Sequence, residues 1–514
     1  PVVLFIISIH ISYAAEPGTE AYRKAQIEIW DKKGLRKETD MAVDTSKRFL
    51  KAPDNYKGNN NFVMAKAVPT VDFAPIHGLV SEFFPEDNKG LWSQWGEVTK
   101  GPNGCFYMAS GDHRCKNGQV FITEYDPVKK EQRIVVDVGK IFASLARLSA
   151  AGIPVITVVH GSSTAGGAYM PGMSDYVIAV RNRARIFLGG PPLVKAATGE
   201  VATDEELGGA DMHATVTGVV EYVAQDDADA VAQARDVIGR INFEGQSLVQ
   251  STEDYDAPVY DTEEICGLVP VDYSKPYEVR ELIARLIDGS DFTDFKPAFG
   301  PNTVCGHARI EGHACGIIGN NGPIMTDDAV KAAQFIQLCS QSGTPLVFLQ
   351  NTTGFMVGLD SENRGMVKHG SKMIQAVTNA PVPKITMMTG GSFGAGNYGM
   401  CGRGFDPRFI FSWPNSKIAV MGGEQAATVM EIVTRAKSER AGVDVDEDKL
   451  GKMTKSIIDR TEEESNALYA TARNWDDGLI DPRDSRRVLG FALATCREGD
   501  QRTTNPNTFG IARG

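Results

Sequence analysis

The sequence predicts an α/β fold made of two related domains, and three observations carry that reading. Beyond Lys140, apolar runs of strand length alternate with helix-period segments, the texture of parallel strands joined by right-handed helical crossovers. Residues 154–169 recur at 383–398, an offset of 229 residues. A glycine-rich turn follows the apolar run at the same place in both copies.

In the first copy, Ile141 to Ala150 reads as a helix with Leu145 and Leu148 on one face. Pro154 to Val159 is a continuous apolar run, the pattern of a strand buried on both faces. Gly161 to Gly167 reads as a turn, and Ala168 opens the next helix. In the second copy, Asp328 to Ser342 reads as an amphipathic helix, with Val330, Ala333, Phe335, Ile336 and Cys339 on its apolar side. It leads into a buried strand, Pro345 to Gln350, and a turn, Thr352 to Gly354. Cys305 to Ile318 reads as a hairpin turning at Glu311-Gly312. The repeat places seven identities in sixteen columns: Pro154/Pro383, Ile156/Ile385, Thr157/Thr386, Gly161/Gly390, Ser163/Ser392, Gly167/Gly396 and Tyr169/Tyr398. Phe187-Leu-Gly-Gly190 echoes Val420-Met-Gly-Gly423. The copies are expected to meet near 290–305, where Pro297, Gly300 and Pro301 cluster. The second copy's opening helix falls at this offset on Thr99–His113, which is Gly-rich and β-like. The first copy is therefore expected to be truncated.

Residues 1–139 differ in texture. The opening PVVLFIISIHISYAA fits either the apolar core of a secretory signal or a buried strand. A chain that opens on Pro1 without an initiator Met is expected to be a fragment or a processed product. Residues 16–90 are polar and weakly periodic, whereas Trp92 to Val138 reads as strands separated by Gly and Asp-Pro turns, as in one β-propeller blade. In a secreted segment Cys105 and Cys115 would be positioned to pair.

Composition narrows the function. The 514 residues are 42% hydrophobic and 23% charged, so a large core forms without disulfide or metal staples. At roughly 150 residues per domain the length allows about three domains. A formal net charge of −12 disfavours a general nucleic-acid binder. No stretch reaches the roughly 18 apolar residues of a membrane span. The eight cysteines form no CxxC pair, against a zinc ribbon or thioredoxin-type site.

The turns Ser163-Thr-Ala-Gly-Gly-Ala168 and Ser392-Phe-Gly-Ala-Gly396 are the candidate functional elements. N–H groups at a helix start have no intrahelical partner, and the helix dipole favours negative charge there. A phosphate cradle and an oxyanion hole both fit, although neither GxxxxGK(S/T) nor a dinucleotide fingerprint is present. The bland alternative is close helix–strand packing, which duplication weakens, because two related holes suit a reaction between two bound carbonyl compounds. No GxSxG or HExxH is present. His160 lies near Ser163 but ends a buried strand and reads as a core or turn histidine. His307 and His313 read as surface hairpin positions rather than metal ligands with Cys305 or Cys315, and Glu311 as solvated. Arg181, Arg183 and Arg185 form a basic patch, either a solvated face or a partner for nucleotide phosphates.

At these residues a family resemblance enters. Lys140 to about Arg497 resembles the carboxyltransferase (β) subunits of biotin-dependent acyl-CoA carboxylases, most of all the methylcrotonoyl-CoA and geranyl-CoA carboxylase branch. The matching stretches are AAGIPVITVVHGSSTAGGAYMPGMSD (150–175), IFLGGPPLVKAATGE (186–200), ELGGADMH (206–213), GIIGNNGPI (316–324), FLQNTTGFMVG (348–358), PKITMMTGGSFGAGNYGMCGR (383–403), WPNSKIAVMGGEQAA (413–427) and DDGLIDPRDSRRVLG (476–490).

The resemblance implies two crotonase-like ββα-superhelix domains, the first, 140–297, incomplete and the second 298–514, preceded by an unrelated β-rich segment 1–139. It implies that the N–H groups of Gly166 and Gly167 hold the thioester oxygen, flanked by Ala165, Ala168 and Tyr169. Those of Gly394 and Ala395 would hold the ureido oxygen of biotin, flanked by Gly396, Asn397 and Tyr398, with Asn397 where the family tunes acyl-chain choice. The hairpin and helix at about 308–337, including Gly316, Asn320 and Asn321, correspond to an acyl-CoA-binding stretch. The implied cofactor is biotin carried by a partner subunit that also uses ATP, with coenzyme A as part of the substrate and no metal on this chain. The implied partners are that biotin carboxylase/biotin carrier subunit and further copies in a hexameric core, with no nucleic acid and no membrane. The implied compartment is the cytoplasm, or alternatively the mitochondrial matrix. Two departures stand out: neither a VKGGT-like turn nor a DSGGA-like segment occurs in 1–139. The rival readings are a biotin-dependent decarboxylase, a biotin-independent crotonase-like hydratase or thioesterase, and a secreted β-rich binding protein.

Overall fold

The computed structural model describes residues 139–241, 255–272 and 277–503, with 4–6, 42–44, 71–73, 93–94, 99–100, 105–111, 120–126, 128, 131–137 and 275. The chain divides into two compact units, one of residues 1–212 and 224–230, the other of 213–223 and 231–514.

In the first unit, β1 (Leu4–Ile6) lies beside a later strand, described below. The strands β2 (Phe106–Gly111), β3 (Val120–Asp126) and β4 (Glu131–Asp137) form the antiparallel meander expected of a blade. Cys105 is buried; Cys115 and most of 7–92 lie outside the described residues. Helix α1 (Gly139–Ala150) then feeds β5 (Ile156–Val159), whose four residues are all buried. The chain continues through β6 (Ser162–Thr164), β7 (Tyr176–Val180) and β8 (Arg185–Phe187). Strand β5 pairs in parallel with β7, and β6 in parallel with β8. Asp175 ties the start of this layer together, accepting from the Val155 N–H (2.7 Å) and the Ser149 hydroxyl (2.6 Å). On its other edge β5 pairs in parallel with β1, Leu4 opposite Ile156. Of the two readings of the apolar opening, Leu4–Ile6 thus takes the strand.

In the second unit, α2 (Val279–Leu286) precedes a seven-stranded sheet ordered β9 (Thr293–Phe295), β10 (Thr303–Ile310), β11 (His313–Asn320), β12 (Leu346–Thr352), β13 (Lys384–Phe393) and β14 (Phe409–Ser412). Strand β15 (Lys417–Ala419) pairs with the far end of β13. The hairpin β10–β11 is antiparallel, and β11 through β14 are parallel. Helix α3 (Thr326–Ser342) is the expected amphipathic helix, closed by Gly343 in the left-handed region. Helix α4 (Met366–Asn379) leads into β13, buried along its whole length. Helices cover both faces of this sheet, as unbroken apolar strands require. On one face Leu282, Ile283 and Leu286 of α2 and Leu489 and Leu493 of α5 (Ser485–Gln501) pack with Val347, Leu349, Ile385 and Met387. On the other, Phe335 and Cys339 of α3 lie against Gly316, where an added Cβ would sit 2.6 Å from the Cys339 sulfur.

Residues 231–297 fall in the second compact unit, where α2 packs in the core and Phe295 of β9 is buried. The hairpin brings two corrections. His307 is not on the surface: it is buried with its ring 5.0 Å from that of Phe335. Glu311, at φ 49° in the turn, is not freely solvated; its carboxylate lies against Gly490, and partial burial raises its pKa. The turn itself is held by Asp288, which accepts from the Glu311 and Gly312 N–H groups at 2.8 Å each and pairs with the Arg486 guanidinium at 2.7 Å.

Burial lowers the His307 pKa to about 4. The unfolded chain takes up that proton near pH 6.5, so stability is full above 6.5 and falls as pH drops toward 4, by about 3 kcal/mol at most. Denaturant unfolding of the wild type from pH 7 to 4 should show this loss, and His307→Gln should flatten it.

Candidate active site

Both glycine turns sit where a strand leaves one partner for another. In the first unit, Ile156 lies opposite Tyr176, and then Ser162 opposite Arg185. In the second, Ile385 lies opposite Phe409, and then Gly391 opposite Lys417. The strand in each case hands over directly to a short helix, Ala165–Ala168 and Gly394–Gly399. The first helical residue has the same backbone twist in both: φ is 52° at Ala165 and 52° at Gly394. These two residues are 229 apart, so the repeat read from the sequence extends to the local backbone. A left-handed residue at this handover turns the following N–H groups out of the strand direction, and the first N–H groups of a helix have no intrahelical acceptor. By that rule each turn offers up to three successive donors, at 165–167 and 394–396, and is called a cup below. The assigned pairs, Gly166 with Gly167 and Gly394 with Ala395, take different two of the three.

The first cup is open at Gly166, where an added Cβ would come no nearer than 3.9 Å to Phe142. Gly167 and Ala168 are buried behind it, and Tyr169 is exposed. Ser163 donates its hydroxyl hydrogen to the Gly167 carbonyl at 3.0 Å, so it braces the cup and is spent. His160 lies 3.7 Å from the Asp227 carboxylate through Nδ1, not on Ser163. The basic patch is neutralised: Arg181 pairs with Asp211 at 2.9 Å, Arg183 with Asp227 at 2.8 Å and Arg185 with Glu205 at 2.6 Å.

The second cup is tighter. A Cβ at Gly396 would lie 2.8 Å from the Gly354 Cα, so the turn 352–354 presses on the cup helix backbone to backbone. At Gly394 a Cβ would lie 3.1 Å from the Val420 carbonyl. Asn397 turns inward and donates from Nδ2 to the Ser392 hydroxyl at 2.8 Å. Tyr398 is half exposed, its ring 5.4 Å from Phe405. The remaining expected substrate contacts do structural tasks. Gly316 makes room for Phe335 and Cys339. Asn320 is fully buried, its Nδ2 3.5 Å from the Met400 sulfur just behind the cup helix. Asn321 accepts from the Val279 N–H at 2.8 Å and donates to Glu278, capping α2. Sequence reasoning missed Asn351 and Asn415, which bond the strand leading into the cup; the Gly390-Gly391 pair inside an apolar strand was the available signal of irregular pairing.

Four of the described cysteines are held in the neutral form by burial. Burial pushes the Cys305 and Cys401 thiols up to about 12 and raises Cys315 and Cys339 as well. Among the described residues no group of three or more His, Cys, Asp or Glu is placed to hold a metal ion. Nor is any described helix long and apolar enough to cross a membrane.

An α/β chain with duplicated strand–cup–helix units belongs to a known class. It is a member of the carboxyl transferase domain family, whose model matches residues 39–509. The match reaches back beyond Lys140, which corrects the reading of 1–139 as wholly outside the family; no motif quoted above lies in 39–139. Over 377 residues the chain is 50% identical to the mitochondrial methylcrotonoyl-CoA carboxylase beta chain of Dictyostelium discoideum, covering 73% of this chain and 63% of that one. Over 390 residues it is 48% identical to a probable biotin-dependent acyl-coenzyme A carboxylase beta2 subunit of Mycobacterium tuberculosis, covering 75% and 72%. Among solved structures it resembles the transcarboxylase 12S hexamer with hydrolysed methylmalonyl-CoA bound, at a TM-score of 0.63 and 32% identity, over 73% of this chain and 71% of that one. The crotonase-like α/β architecture expected from the sequence is the fold of the chain.

The matched φ of 52° makes an asymmetric demand, because Ala165 carries a Cβ where Gly394 does not. Ala165→Gly should be neutral or stabilising by up to about 1 kcal/mol, and Gly394→Ala destabilising by about 1 kcal/mol or more. Thermal unfolding of the two variants measures the contrast.

Proposed function

We propose that the chain is the carboxyltransferase component of a biotin-dependent acyl-CoA carboxylase, moving a carboxyl group to 3-methylcrotonoyl-CoA or a related branched acyl-CoA. The observation that carries this reading is the pair of strand-to-helix turns with backbone-amide donors, equal in φ. Two cups of one design suit two guests that each develop a negative carbonyl oxygen. In this reading the Gly166 and Gly167 N–H groups hold the thioester oxygen of the acyl-CoA, lowering the cost of its carbanion. The Gly394 and Ala395 N–H groups hold the ureido oxygen of biotin. Small residues at 394–396 leave the backbone accessible, and the backbone of the exposed Val420 lies beside Gly394. These features fit a flat, uncharged ring system. Biotin, carried by a partner subunit, supplies the carboxyl group. The chain's own contribution is electrostatic: preorganised donors, each worth roughly 3 kcal/mol in the transition state. Among the described residues, Ser163 bonds the Gly167 carbonyl and His160 lies against Asp227, in keeping with this division of work.

In the same reading the chain works with a biotin-carrying subunit and with further copies of itself in a hexameric core, the assembly that the transcarboxylase 12S structure's description names. The compartment is the cytoplasm, or alternatively the mitochondrial matrix, where the Dictyostelium relative's name places it. Within the chain, the proposal treats 140–297 and 298–514 as descendants of one duplicated domain, whatever the division of their contacts.

Purified chain with its biotin-carrying partner should transfer label from carboxybiotin to 3-methylcrotonoyl-CoA. Gly166→Val, at a position with room for the side chain, should cut kcat by about 100- to 1000-fold while leaving the unfolding temperature within a few degrees. Unimpaired turnover in that variant would remove the first cup from the mechanism. Release of carbon dioxide from a malonyl-type thioester, without forward transfer, would favour a decarboxylase.

A further inference from the structure

The strand that delivers the second cup does not pair evenly. Between β12 and β13 the register runs Gln350 opposite Met388 and then Thr352 opposite Ser392. One residue of β12, Asn351, therefore faces three of β13, Thr389, Gly390 and Gly391. A bulge of this kind bends the strand and takes its backbone groups out of the ladder. Buried N–H and C=O groups so released need other partners. Here two asparagine side chains supply them. Asn351 Oδ1 accepts from the Gly391 N–H at 2.8 Å, and Asn415 Nδ2 donates to the Thr389 carbonyl at 3.1 Å. The fit is close: a Cβ on Gly390 would overlap Asn351 Oδ1. Asn351 is fixed in turn, its own N–H directed at Asn320 Oδ1 at 3.4 Å. Just past the bulge, β13 changes partner from β14 to β15, and three residues beyond Gly391 comes Gly394, the left-handed residue of the cup.

We propose that Asn351 and Asn415 are positioning residues for the second cup: they clamp the bulge at 389–391 and so set the direction in which the N–H groups of 394–396 point. Neither is required to touch a guest. The inference rests on the reading of that cup as an oxyanion site, and it deepens it. A backbone donor is effective only when aimed at the oxygen's position in the transition state, and a bulge without its two clamps would let that aim wander.

Two measurements on the full chain test it. Amide hydrogen exchange across 389–396 reads the clamp directly and needs no activity. Asn351→Leu, similar in size but lacking the acceptor, should speed exchange at Gly391 by at least about tenfold, one hydrogen bond's worth. Asn351→Asp, which keeps an acceptor oxygen, should preserve protection there. Asn415→Ala should loosen the same segment. With the biotin-carrying partner, Asn351→Leu and Asn415→Ala should each lower kcat by about tenfold or more with KM for the acyl-CoA unchanged, and with unfolding temperatures near that of the wild type. Unchanged exchange at 389–396, or unchanged kcat in both variants, overturns the proposal, as does a loss of activity that only follows a loss of stability. If the wild type itself transfers no carboxyl group, the functional reading of the cup fails separately, and the exchange result alone decides whether the clamp exists.

Discussion

A single backbone constraint organises this molecule: a residue at positive φ, placed where a buried strand becomes a helix. Ala165 and Gly394 both hold φ at 52°, and both follow a strand that has just exchanged one neighbour for another. The exchange carries the chain out of the plane of its first pairing. The left-handed residue then opens a short helix, whose first N–H groups have no intrahelical acceptor. A backbone N–H has no side chain by which to adjust its aim, so the strand and the left-handed residue set its direction. The constraint costs most at Ala165, where the Cβ is crowded in the left-handed region. Such strain persists only when the surrounding structure holds it, and the Ser163–Gly167 hydrogen bond and the β6–β8 pairing do so here.

The polar side chains around the cups are consumed in support. Ser163 braces the first helix, Asn397 ties the second back to Ser392, and the three arginines after β7 are each matched to a carboxylate. Buried thiols are held in their neutral form by desolvation.

Local pattern revealed the elements well. The helix read at 328–342 occupies Thr326–Ser342, and the strand read at 345–350 occupies Leu346–Thr352, because apolar period and length are properties of short stretches. The hairpin read at 305–318 occupies 303–320 for the same reason. His307 was misplaced because a histidine in a hairpin carries no mark of which face is covered; Phe335, 28 residues away, decides that. The Asn351 and Asn415 clamps escaped notice on the same ground. Each is an ordinary loop-forming residue until a bulge in a distant strand brings Gly391 and Thr389 within hydrogen-bond reach.

From its sequence alone, the strand–turn–helix order around both glycine turns was determined, since it depends on residue type and spacing within a few turns of chain. Tertiary structure decided the rest. It chose Ala165 and Gly394 as the left-handed positions, gave residues 231–297 to the second compact unit, and neutralised the basic patch. Each of those outcomes turns on which distant groups meet. Burial and pairing energies are set by three-dimensional neighbours, and linear spacing does not encode them.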